Sequence, residues 1–205
     1  MPFIDLSHPL DPNTPPYPGD PPFLLTKNTS LKADGYTSHT LSSAFHAGTH
    51  IEAPMHLIED SRFLVDFPIN HFAGRGVVLD VRDEKRISYK PLYDTLVHPQ
   101  DIVLLFSGFD SHYPTKEYFS HHPCVEEELA AFFLYKQIKI LGMDFPSPDH
   151  FPHGIHKQLF QGNILLLENL TNLSSLLPLT DFEIMAFPLP IAAEASFVRV
   201  VAKKG

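Results

Sequence analysis

Four short apolar runs do most to limit what this chain can fold into: "RGVVLDV" (75–81), "DIVLLFSG" (101–108), "IKILGMD" (138–144) and "NILLLENL" (163–170). Each is short for a buried helix and has turn-forming residues nearby, which predicts strands covered on both faces. The last three end near Gly, Asp or Glu, so polar groups are expected to gather at one edge of a sheet. "VRVVAKK" (198–204) predicts a further strand, its lysines blunting an exposed end. Helices are scarcer. "CVEEELAAFFLYKQ" (124–137) has acids early, a lysine late and Leu129, Phe132 and Phe133 as an apolar stripe, which predicts an amphipathic helix. "NLSSLLP" (172–178) and "TDFEIMAF" (180–187) are shorter helix candidates, the second with Thr180 as N-cap and Glu183 closing a capping box. The expected architecture is α/β: a single strand-rich domain over residues 1–205, with a mixed sheet or barrel-like core and few helices.

Proline shapes the start of the chain. Residues 9–22, "PLDPNTPPYPGDPP", exclude a helix, so residues 1–22 are expected to form an extended arm over their own domain or a partner subunit. Charge narrows the partners. With 15 basic against 24 acidic residues and a net charge of -9, the chain lacks the clustered positive charge that nucleic acids demand. The apolar runs fall far short of the roughly 20 residues that cross a bilayer. "MPFIDLSHPL" has neither the basic start nor the long apolar stretch of a signal peptide. Cys124 stands alone, so no intrachain disulfide can form, and a cytoplasmic setting is expected.

Histidine is abundant, with 13 copies, and chance clusters are common in such a chain, so spacing must carry any functional reading. In "FHAGTHIEAPMH" (45–56), His46, His50, Glu52 and His56 all occupy even positions, and an extended segment projects all of them to one side. A helix would separate His46 and His50 from Glu52 and His56, and Pro54 opposes one as well. Gly48 permits a bend, and Thr49 offers a hydroxyl for local hydrogen bonds. Imidazole with carboxylate suits Zn²⁺, Mn²⁺ or Fe²⁺, whereas Ca²⁺ and Mg²⁺ draw mainly on oxygen. Neither a paired cysteine set nor an HExxH helix is present, which disfavours a structural zinc ribbon and the common zinc-protease arrangement. An open catalytic site is expected. A metal-binding protein without catalysis is the alternative, and a cupin-type barrel ranks below it because its HxH pair is missing.

"HAGTHIEAPMH" resembles the HxGTHxDxPxH signature of the cyclase-like metal-dependent hydrolases, the family of kynurenine formamidases and isatin hydrolases. The likeness extends through "IDLSHPLDPNTPPYPGDP", "LLFSGFD", "YFSHHP", "GMDFPSPD", "LLLENLTNL" and "PLPI". The resemblance implies a swivelling β/β/α fold and a divalent metal, Zn²⁺ first and Mn²⁺ as alternative, as one or two ions. It implies that His46, His50, Glu52, His156 and Glu168 hold that metal and that His56 is the general acid/base. The implied activity is hydrolysis of a carbon–nitrogen amide bond in a small aryl amide or lactam, of arylformamidase type, by a homodimer or homotetramer. No organic cofactor is expected. One departure stands out: the signature has Asp where this chain has Glu52. The extra methylene adds about 1.5 Å of reach, which bears on whether that carboxylate bridges two ions or holds one.

Overall fold

The computed structural model describes residues 3–205. Its strands are β1 (Phe3–Asp5), β2 (Leu24–Thr29), β3 (Ser38–Ser42), β4 (His50–Glu52), β5 (Ala73–Asp80), β6 (Arg86–Ile87), β7 (Ile102–Phe106), β8 (Cys124–Val125), β9 (Ile140–Met143), β10 (Leu165–Glu168), β11 (Phe182–Met185), β12 (Ala195–Phe197) and β13 (Val201–Lys204). Nine of them form one mixed, curled sheet in the order β1, β13, β11, β5, β7, β9, β10, β4, β12. The four apolar runs supply β5, β7, β9 and β10, which pair in parallel at its centre. Antiparallel strands flank them on both sides.

Those runs are apolar throughout because each face of the sheet has its own core. Along β7, Val103 and Leu105 enter one cluster with Leu129, Phe133, Leu159 and Phe160, while Ile102, Leu104 and Phe106 enter the other with Ile51, Leu167 and Ile184. The first cluster is roofed by α4 (Glu127–Lys136) and α5 (Gly154–Gln161), the longest of five α-helices, after α1 (Leu31–Asp34), α2 (Tyr93–Leu96) and α3 (Lys116–Ser120). No helix among the described residues is long and apolar enough to cross a membrane.

Four local expectations change. The segment 180–187 holds strand β11 and not a helix: Phe182 and Ile184 are buried while Glu183 is exposed, a period of two, and the strand pairs on both sides. Two ladders outweigh a four-residue capping pattern. The C-terminal lysines do not guard an edge, because β13 lies between β1 and β11. The helix expected over 124–137 starts at Glu127, its first residues having joined β8, and 172–178 holds a 3₁₀ turn at Leu173–Leu176.

The proline-rich arm docks on its own chain. The His8 amide donates to Thr49 Oγ1 at 2.9 Å and the Tyr17 amide to the His46 carbonyl at 3.2 Å, with a bridge between Pro16 and Ala47. Gly48 sits at φ 58° beneath Leu10, so a side chain there would be strained and would strike Leu10.

Candidate active site

Sheet register explains how distant residues meet. β4 runs antiparallel to β10 with His50 opposite Glu168, and Glu52 lies two residues along β4, so all three share one face. His50 Nε2 is 3.1 Å from Glu52 Oε1 and 3.5 Å from Glu168 Oε2. From α5, His156 Nε2 approaches Glu168 Oε1 at 3.4 Å and Glu52 Oε2 at 3.6 Å. The bend before β4 turns His46 inward, placing its Nδ1 2.6 Å from Glu52 Oε1. His56 follows on a 3₁₀ turn at Pro54–His56, its ring lying 4.3 Å from that of His46. All six residues singled out from the sequence therefore gather at one place. The shared even parity holds as strand geometry only for His50 and Glu52; the bend and the 3₁₀ turn bring in the others.

The imidazoles are held from behind. His50 Nδ1 donates to the Gly48 carbonyl at 2.9 Å, and His156 Nδ1 donates to Asp149 Oδ1 at 2.6 Å, leaving each Nε2 toward the carboxylates. The other Asp149 oxygen accepts from the amides of Ile155 at 2.7 Å and His156 at 3.3 Å. It thereby caps the first turn of α5. The Asn169 amide donates to the Gly48 carbonyl at 2.8 Å and accepts from the Tyr118 hydroxyl at 2.8 Å, while Thr49 Oγ1 donates to the Asn169 carbonyl at 2.6 Å. Asp149, Asn169 and Glu194, whose Oε1 lies 3.6 Å from His46 Nε2, are functional neighbours that sequence reasoning missed. Asp149, as the last residue of "GMDFPSPD", and Asn169, within "LLLENLTNL", carried a signal, and Glu194 carried none. His150 and His153, the nearby alternatives to His156, do not reach the two glutamates: His153 turns its Nδ1 to Asp149 Oδ1 at 3.2 Å.

Glu52 and Glu168, 2% and 3% exposed, place two carboxylates in a buried space, which demands compensating positive charge. In the metal-free protein, protons supply it. Burial disfavours imidazolium at His50, yet Glu168 and Glu52 outweigh that and push its pKa up to about 10; His156 is raised likewise by Asp149 and both glutamates. Glu52 is held well below the usual carboxylate range, the histidines overcoming its burial. Glu52 Oε2 and Glu168 Oε1 nevertheless lack hydrogen-bond partners. Three of the donor separations, 3.4 to 3.6 Å, are long for hydrogen bonds. They match the edge of about 3.4 Å in a tetrahedron with bonds of about 2.1 Å. A divalent cation fits this donor set. His46, Glu52 and His56, and also His50, Glu52 and Glu168, bring ligand atoms within 4.8 Å of one another, with Glu52 common to both groups.

The donors open on a cavity of about 400 Å³ whose far wall is the arm, through Tyr17, Pro18, Gly19 and Asp20. That is room for a small organic molecule. Burial first, then the charge of Glu168, raises the Tyr17 pKa, so its hydroxyl stays protonated. His56 is held below its ordinary value by burial.

A mixed sheet whose strand ends deliver imidazoles and carboxylates to one buried point, beneath a small-molecule cavity, defines a metal-centre class of α/β protein. Comparison with known proteins makes this specific. The chain belongs to the Cyclase family, whose model matches residues 4–150. It is 31% identical over 206 residues to the kynurenine formamidase of Bacillus cereus, covering 97% of this chain and 96% of the relative. The kynurenine formamidase of Bacillus mycoides is 32% identical over 204 residues, with 97% and 96% covered. Among solved structures, isatin hydrolase A from Labrenzia aggregata superposes with a TM-score of 0.85 at 22% identity, covering 98% of this chain and 92% of that one. Isatin hydrolase A from Ralstonia solanacearum gives 0.87 at 20% identity, with 98% and 90% covered. The nine-stranded sheet is thus a fold shared with both.

Proposed function

We propose that the chain is a metal-dependent amide hydrolase of arylformamidase type, cleaving an N-formyl aryl amine or a related cyclic amide. Its near full-length similarity to kynurenine formamidases supports the reaction class. The observation that carries the reading is the pair of orphaned oxygens, Glu52 Oε2 and Glu168 Oε1, which lie 3.6 and 3.4 Å from His156 Nε2, separations that suit a cation. His46, His50, Glu52, His156 and Glu168 would hold one or two divalent ions, Zn²⁺ first and Mn²⁺ second. Such an ion supplies Lewis acidity and makes water nucleophilic near neutral pH. Residues 1–205 act as one domain with 1–22 as its arm, working in the cytoplasm as a homodimer or homotetramer.

His56 is neutral at pH 7 because burial disfavours its charge, so it can accept a proton on a ring nitrogen. Water adds to the amide carbonyl and gives up a proton to His56. The carbon–nitrogen bond then breaks as that proton passes to the leaving nitrogen. For an N-formyl aryl amine the products are formic acid, which releases its proton to solvent as formate, and the free amine. The tilted contact of His56 with His46, ring centroids 4.3 Å apart, limits the directions from which that proton can move. Asp149 and the Gly48 carbonyl keep both Nε2 atoms turned toward the site. The arm, through Tyr17, excludes water from one side and offers a hydroxyl donor to the substrate.

The test pairs metal analysis with turnover of N-formylkynurenine and isatin. His50→Ala loses bound metal; His56→Ala keeps it and loses turnover by about 10² to 10⁴, the usual worth of a positioned acid/base. Undiminished hydrolysis by both variants in metal-free buffer overturns the proposal. Full metal content in the wild type without turnover of any aryl amide supports the non-catalytic alternative.

A further inference from the structure

Outside the cavity, His122, Cys124 and His150 each offer a ligand atom within 4.8 Å of the others'. The chain path explains the meeting. His122 stands two residues before Cys124, the first residue of β8, and the Val125 amide donates to the Pro148 carbonyl at 2.8 Å, bringing the 145–150 loop alongside. The ring of His150 then lies 4.1 Å from that of His122.

The second observation is His122 itself. It is 4% exposed, its Nδ1 donates to the Pro123 carbonyl at 3.0 Å, and its buried Nε2 has no partner. That bond fixes the tautomer in which Nε2 carries a free lone pair, the arrangement that prepares a histidine for a metal. An imidazole buried for packing alone would leave a lone pair desolvated at a cost. Cys124 is free and half-buried, and His150 is exposed, so the group is open to solvent on one side. Asp149 is committed to His156 and α5 and is not a fourth ligand; burial first, and then its charge, push the Cys124 thiol pKa up, so the thiol holds its proton until a cation displaces it.

We infer that His122, Cys124 and His150 form a second metal site, separate from the Glu52 and Glu168 centre, that takes a thiolate-preferring divalent ion such as Zn²⁺ with one position open to solvent. Two imidazoles and a thiolate are zinc's preferred donors, and three protein ligands with an open position describe a reactive or exchangeable site and not a closed structural one. The inference stands apart from the hydrolase reading, because none of the three residues belongs to the proposed acid/base or ligand set.

Cobalt titration tests it directly. Cys124 is the sole cysteine, so a cobalt–thiolate charge-transfer absorption can arise only here. The band is expected in the wild-type protein and in His50→Ala, where the first centre is disabled, and is expected to vanish in Cys124→Ser along with one equivalent of zinc. His122→Ala removes a buried ring and can unfold locally, so the deciding variant is His150→Ala at the surface. Its cobalt affinity at this site should fall by more than about tenfold, the lower end of what even an outer-shell loss costs. A wild type without the band at saturating cobalt, or a His150→Ala variant with unchanged affinity, overturns the inference. Persistence of the band in His50→Ala separates this result from any failure of the first centre.

Discussion

Asp149→Ala should weaken the centre through a residue that touches no substrate. One carboxylate does two jobs: Oδ1 accepts from His156 Nδ1 at 2.6 Å, and Oδ2 accepts from the Ile155 and His156 amides at the start of α5. Losing a cap of this kind costs about 1 kcal/mol. In a chain of this length that lowers the melting temperature of the metal-free protein by about 2–4 °C. Losing the hydrogen bond that orients a metal-bound histidine costs about 10- to 100-fold in affinity, or about 1.4 to 2.7 kcal/mol. The two effects have separate readouts, since thermal melting without metal reports the cap together with the lost Asp149–His156 ion pair, and zinc competition against a chelator reports the orientation. Asp149→Asn should fall between, because an amide has one accepting oxygen for sites that now use two. A folded Asp149→Ala protein with wild-type zinc affinity would refute the argument that His156 depends on its partner to present Nε2.

Two further perturbations probe how the site loop is built. Gly48→Ala forces a Cβ into a residue at φ 58° and against Leu10, so it should cost about 1–3 kcal/mol in chemical denaturation and loosen metal binding by shifting His46 and His50; unchanged stability would show that the arm yields freely there. Asp144 gives a pH signature. Burial outweighs the bonds donated by Ser107 and Gly108 and raises its pKa from 3.8 to about 6, so between those values the folded state holds a proton that the unfolded state releases. Stability therefore rises as pH falls through 6, and relative to Asp144→Asn the wild type should gain about 1 kcal/mol between pH 7 and pH 5. Parallel pH profiles for the two proteins would contradict this.

The central strands were legible because their environment is uniform: a strand covered on both faces has to be apolar at every position, and few other structures require that. β11 was misread because its sequence satisfies two descriptions. "TDFEIMAF" carries a local capping pattern, and the alternation of Phe182 and Ile184 about Glu183 is only three residues long. What decides between them is the pair of neighbouring strands, which local sequence does not name. The position of β13 inside the sheet is hidden for the same reason, since strand order is a property of the whole chain.

The site was legible in proportion to how local it is. His46, His50, Glu52 and His56 lie within eleven residues, and their company alone indicates a metal. Glu168 and His156 are bound to them by register and by the placement of α5: the end of an apolar run puts Glu168 at a sheet edge, but only resemblance to a family could point to His156 from sequence. Asp149 shows the limit most clearly. Its value lies in two hydrogen bonds made seven residues downstream, and nothing in an isolated Pro-Asp-His triplet distinguishes it from its neighbour. That neighbour, His150, faces the other way, toward His122 and Cys124. Adjacent residues of one loop thus serve two different clusters. Movement of this loop to accommodate an ion at Cys124 would act first on Asp149, the residue that aims His156.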